Sequence, residues 1–84
     1  MRLDDYLSTV GVIKRRTVAK EMGSNGLLAV NGHAAKPSYQ VKVGDVVQVK
    51  GTHAIAVEVI DIPTGSVAKE QRDRYFKVIT HADR

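Results

Sequence analysis

The 84-residue sequence contains no cysteine, so neither a disulfide framework nor a thiolate zinc site can be built from it. Aromatic side chains are scarce, with only Tyr6, Tyr39, Tyr75 and Phe76 present. A platform on which several unpaired bases stack is therefore not expected. No apolar run approaches the ~20 residues of a membrane-spanning helix. Met1 to Asp5 carries two acids where a secretory signal needs an apolar run, so export is not expected. A chain of this size forms one domain that buries only about 60% of its unfolded surface, which leaves no room for a deep catalytic cleft.

Catalytic and metal-binding inventories are equally thin. His33, His53 and His81 are far apart in sequence, and no His-x-x-x-His or carboxylate cluster has metal spacing. There is no Gly-x-Ser-x-Gly and no phosphate-cradling loop. Asp4 and Asp5 are neighbours on an expected helix, so they point about 100° apart and are poorly placed to share a proton or a metal. The expectation is a protein with no catalytic residue, no metal and no cofactor.

What the chain does have is positive charge in one place. The formal net charge is +4. Residues 1–50 hold eight Lys/Arg against four acids, while residues 51–84 hold five of each. The whole excess therefore lies in the first part, as expected of a surface that meets a polyanion. Its densest stretch is Lys14-Arg15-Arg16-Thr17-Val18-Ala19-Lys20, four cations and no acid. Cations at a helix start add to the partial positive charge of its free N–H groups, and each phosphate paired there releases condensed counterions.

Leu3, Tyr6, Leu7 and Val10 fall at i, i+3, i+4 and i+7, one apolar stripe of a short helix. Asp4 and Asp5 oppose its dipole, and Gly11 stops it. A second helix is expected to begin near Arg15 or Arg16, with Val18, Ala19 and Met22 inward and Arg16 and Lys20 outward. Gly23 to Gly26 should end it. Leu28 and Val30 alternate as a short strand, and Asn31-Gly32 is a strong hairpin signal. Lys36-Pro37-Ser38 interrupts any ladder, because proline has no N–H to donate. Val41 and Val43 alternate before the turn at Gly44-Asp45. Val46–Lys50 and Ala54–Ile62 read as longer strands joined around Gly51-Thr52. After Pro63-Thr64-Gly65, a short helix over Val67–Arg74 and a strand over Tyr75–Ile79 are expected. The fold class is α+β, two short N-terminal helices packed on a small, mainly antiparallel sheet.

The ordered set of these segments resembles the S-four RNA-binding domain family (the αL motif). Arg16-Thr17-Val18-Ala19 matches the start of the family's second helix. Gly26, Leu28, Val30, Asn31 and Gly32 match its strand and turn, with Leu28 in place of the more usual Val. Lys36, Pro37, Ser38, Val43, Gly44 and Asp45 match its closing segment. The resemblance covers residues 1–50; the domain is expected to span 1–62, with a C-terminal extension over 63–84 packed on or beside it. It implies that structured RNA binds between the second helix and the hairpin. By similarity, Arg2 and Arg16 are the leading RNA contacts, supported by Lys14, Arg15 and Lys20, with Thr17, Asn31, His33 and Lys36 nearby.

Within the family, Met1-Arg2-Leu3-Asp4 and Lys14-Arg15-Arg16-Thr17 before Val18-Ala19-Lys20-Glu21 look most like the free-standing RqcP type of ribosome quality-control protein and the heat-shock S-four protein of the large subunit. That implies a cytoplasmic monomer binding rRNA and peptidyl-tRNA on stalled, split large ribosomal subunits. It would support C-terminal tailing of the nascent chain beside a tailing factor, with no membrane involved. Two rivals stay open. One is a general rRNA- or tRNA-binding assembly or heat-shock factor. The other is a DNA-binding regulator, since two short helices joined at Gly11 could imitate a helix-turn-helix.

Overall fold

A computed structural model describes residues 1–51 and 54–82. Helix α1 spans Leu3–Thr9 and helix α2 spans Arg16–Ser24. Five strands follow: β1 (Leu28–Val30), β2 (His33–Ala34), β3 (Val46–Val49), β4 (Ala54–Val59) and β5 (Phe76–Ala82). A 3₁₀ helix, Lys69–Arg74, precedes β5. The sheet order is β2-β1-β3-β4-β5, and every pairing is antiparallel. The expected turn residue Thr52 and His53 lie outside the described residues.

The apolar stripe of α1 forms as its spacing requires. Leu3, Tyr6 and Leu7 are 0% exposed, and Val10 is buried with them. Gly11 ends the helix at φ +84, in the left-handed region where a Cβ is disfavoured. The sheet offers a matching face. Leu28 pairs with Val49 and Val30 with Val47, and Val47 in turn pairs with Val57. These alternate residues of three strands join α1 and Ala19 in one buried cluster.

Several local expectations change. Val18 is 43% exposed rather than inward. Only Ala19 of α2 is buried, and Val18 lies one helical step, about 100°, to its side. Val43 is 62% exposed and belongs to no strand. Its segment turns instead, with Asp45 N–H donating to the Lys42 carbonyl at 3.0 Å. Strand β4 stops at Val59, because the next two N–H groups, of Ile60 and Asp61, donate to the Tyr75 carbonyl. The predicted helix over Val67–Arg74 is the shorter 3₁₀ segment, and the added strand begins at Phe76.

The last strand is fixed to the first helix. The buried Tyr6 hydroxyl donates to the Tyr75 carbonyl, 69 residues away. Burial, with Asp61 nearby, pushes the Tyr6 phenol well above its ordinary range, so it stays a donor.

Candidate RNA interface

The site begins with the placement of Arg2. Leu3 N–H donates to the Tyr39 carbonyl (2.7 Å), Asp4 N–H to the Pro37 carbonyl (3.1 Å) and Val41 N–H to the Met1 carbonyl (3.0 Å). Arg2 and Gln40 form an isolated antiparallel bridge. The first residues are thereby laced to the 37–41 segment, which holds Arg2 beside the Lys36-Pro37-Ser38 loop.

Asp4 then orients the arginine. Its carboxylate is 0% exposed. Arg2 donates to it as a fork, Nε to Oδ1 at 3.1 Å and Nη2 to Oδ2 at 3.2 Å. Asp5 N–H also donates to Oδ1, at 2.8 Å. Three donated hydrogen bonds compensate the burial of this carboxylate. From the other helix, Arg16 brings its Nε to 3.7 Å from Asp4 and 3.1 Å from Asp5. The two acids thus gather Arg2 and Arg16 at the junction of the helices. Sequence reasoning missed this role. Only the 3.6-residue period together with the position of α2 would have revealed it.

Arg16 remains usable. Its side chain is 53% exposed, and among the described residues it makes ion pairs but no side-chain hydrogen bond. It opens α2, whose first turn contains no acid, so the helix dipole and the guanidinium act together there.

Beside this pair runs an open groove of about 420 Å³, lined by Arg2, Lys20, Gly23, Ser24, Lys36, Pro37 and Ser38. Gly23 is necessary to its shape. A Cβ there would lie 2.6 Å from Pro37 Cγ, so α2 meets the loop only because the residue is glycine. A second depression of about 430 Å³ shares Lys36 and Ser38 and continues past His33, Ala35 and Tyr39 under the hairpin. Three cations from distant sequence positions, Arg2, Lys20 and Lys36, therefore face one groove, which leads on to His33. Lys14, Arg15 and Thr17 are exposed on the approach to α2 and its first turn but line neither depression.

Asn31 has an internal task. With Gly32 it makes a turn with φ +53 and +85, the sign at both positions that a type I′ hairpin requires. Its Nδ2 donates to Asp45 at 3.1 Å, and its Oδ1 accepts from Val46 N–H at 3.0 Å. Asp45 also accepts from the Tyr39 hydroxyl (2.9 Å) and Lys42 N–H (2.9 Å). Burial alone would raise the Asp45 carboxyl, but these hydrogen bonds and the Lys42 charge outweigh it and hold the group below its ordinary value. The hydrogen bond to Asp45, together with burial, raises the Tyr39 phenol. The carboxylate ties the hairpin to the 39–46 segment and so fixes one wall of the groove.

No group of three metal-ligating side chains occurs among the described residues, and none of their helices is long and apolar enough to cross a membrane. The geometry offers a fixed cationic surface able to hold several phosphates.

Comparison with known proteins agrees with that geometry. The S4 domain model matches residues 1–47. A protein of Listeria monocytogenes named RQC P-site tRNA stabilizing factor is 42% identical over 79 residues, covering 94% of this chain and 86% of the relative. A Streptococcus pneumoniae protein of the same name is 41% identical over 81 residues, covering 95% and 91%. The trimeric structure of Vibrio cholerae Heat Shock Protein 15 superposes with a TM-score of 0.85 at 24% identity, covering 94% of this chain and 81% of that one, a likeness of fold. The chain belongs to the S4 domain family, among the relatives named RQC P-site tRNA stabilizing factor.

Proposed function

We propose that this chain is a ribosome-associated quality-control factor that binds rRNA and peptidyl-tRNA on stalled, split large ribosomal subunits. In that role it steadies the tRNA while a tailing factor on the same subunit extends the nascent chain. It acts in the cytoplasm as a monomer, by binding rather than catalysis. The observation that carries the reading is the joint grip of Asp4 and Asp5 on Arg2 and Arg16 beside the Lys20–Lys36 groove. Such a surface is formed before RNA arrives, and it suits folded RNA recognised by shape and phosphate. The relatives' name supplies the ribosomal setting.

In this reading Arg2 and Arg16 clamp phosphate, and Lys20 and Lys36 line the path of the strand. Lys14, Arg15 and Thr17 meet the backbone as it approaches α2. His33 reaches RNA beyond Lys36, and Asn31 holds the hairpin in place. Sedimentation of cell extract after induced stalling tests the assignment. The protein should travel with free large subunits carrying peptidyl-tRNA. Migration only with small subunits, or none at all, would refute it.

A second reading, general binding of rRNA during assembly, draws support from a 44% match over 50 residues to the small ribosomal subunit protein uS4 of Oleidesulfovibrio alaskensis. Recovery with assembly precursors in unstalled cells would favour it. A DNA-binding regulator is disfavoured, because α2 runs on into β1 of the sheet and its last turn packs at Gly23 against Pro37.

A further inference from the structure

Arg72 belongs to the charge-balanced second part of the chain, yet it lies against the first helix. A Cβ placed on Gly11 would fall 2.8 Å from Arg72 Cδ, 2.9 Å from Nη1 and 3.1 Å from Nε. The guanidinium therefore rests directly on the backbone at the end of α1. Its Nε is buried and has no hydrogen-bond partner among the described residues. No ion pair or side-chain hydrogen bond engages its other nitrogens there either, although Glu70 and Asp73 share its 3₁₀ helix. Buried guanidinium N–H groups are costly to leave unmade, and a planar five-donor fork is the group best matched to phosphate.

Gly11 is followed within three residues by Lys14, a span of at most about 11 Å. The last turn of α1 carries no cation of its own, so Arg72 is the charge at that end of the helix. Helix α1, with its seven residues, separates the two ends by about 10 Å. Arg2 and Arg16 mark one end and Arg72 the other, with Lys14 in the exposed segment that joins Gly11 to Arg16.

We propose that Arg72 and Lys14 form a second phosphate-binding position, at the Gly11 end of α1, for the backbone of the same RNA that meets Arg2 and Arg16. The inference rests on the RNA-binding reading above. It adds the C-terminal part of the chain to the interface, where charge counting had left it out.

The test measures affinity for labelled, folded tRNA between about 50 and 200 mM salt, for the parent, Arg72→Gln, Arg74→Gln and Arg16→Ala. Arg74 is the control for a charge lost from the same 3₁₀ helix, and glutamine keeps most of the stem that packs on Gly11. Arg72→Gln should weaken binding on the order of tenfold and make the salt slope shallower by about 0.7–0.9, one phosphate's worth. Arg74→Gln should do neither. A fall in thermal midpoint with an unchanged salt slope would make Arg72 a packing residue and overturn the proposal. So would equal effects of the two glutamine variants. If Arg16→Ala weakens binding while Arg72→Gln does not, this inference fails and the main interface stands. If neither variant matters, both readings fall.

Discussion

Arg16, the first residue of α2, holds its Nε 3.1 Å from Oδ1 of Asp5 in the first turn of α1. With Asp4 beside it, this contact makes two acids part of a cationic surface. Asp4→Ala adds one positive charge to the protein, and simple charge attraction would then improve RNA binding. We expect the opposite. Affinity for tRNA should fall because Arg2 and Arg16 lose their common support, and stability should drop by about 1–3 kcal/mol from the broken buried hydrogen bonds. Filter binding and urea melts on the same sample check both parts.

Arg16→Ala should weaken RNA binding by about 1–3 kcal/mol while costing no more than about 1 kcal/mol of stability, since its ion pairs are half-exposed. Arg16→Lys should recover only part of the loss, because an ammonium cannot reproduce the planar fork. Leu7→Ala reverses the pattern, with about 2–5 kcal/mol of stability lost from the core. An Arg16→Ala variant as unstable as Leu7→Ala would make the arginine structural.

Gly23→Ala tests the groove without touching a charge. The new methyl would meet the Pro37 ring at 2.6 Å, so α2 or the loop must move. The expected results are a loss of about 1–3 kcal/mol from overpacking and weaker RNA binding. Ser24→Ala, on the same wall but exposed, should leave both close to the parent.

Asp45 sets an acid limit on stability. Its folded-state pKa is depressed, so its contribution is complete above the unfolded value, near 4, and is lost as pH falls through the lower folded value. Tyr39 works in the other direction. Its phenol is raised, so its hydrogen bond stabilises below about pH 10 and is lost at higher pH. Denaturation midpoints should decline at both extremes. The Asp45→Asn variant should be less stable at neutral pH and should lose part of the acid dependence, leaving its curve flatter below about pH 4.

The elements carried by local patterns were readable in advance. The stripe from Leu3 to Val10, the stop at Gly11 and the Asn31-Gly32 turn each follow from spacing or backbone freedom alone. Arg16 and Lys20 were placed outward for the same reason, and they are. Val18 was misplaced because a two-turn helix with one buried residue has an apolar stripe too narrow for periodicity to resolve. The grip of Asp4 and Asp5 on two arginines, the bonds of Asp45 to Asn31 and Tyr39, and the rest of Arg72 on Gly11 join separate segments. No window of neighbouring residues contains them. Charge counting set the basic half apart, yet it assigned Arg72 to a half that folds back against it.

The bond from Tyr6 to Tyr75 also orders events in time. Helix α1 is synthesised 69 residues before the carbonyl that its Tyr6 hydroxyl reaches. Contacts this distant in sequence close slowly, and synthesis proceeds at about 5–20 residues per second. The seat of α1 against the Tyr75 carbonyl is therefore completed only after Tyr75 has emerged. The bonds that hold Arg2 and Arg16 join residues 1–16 to the 37–41 segment, so the basic surface is shaped before the last strand is added, and the Tyr6–Tyr75 bond then locks the finished fold around it.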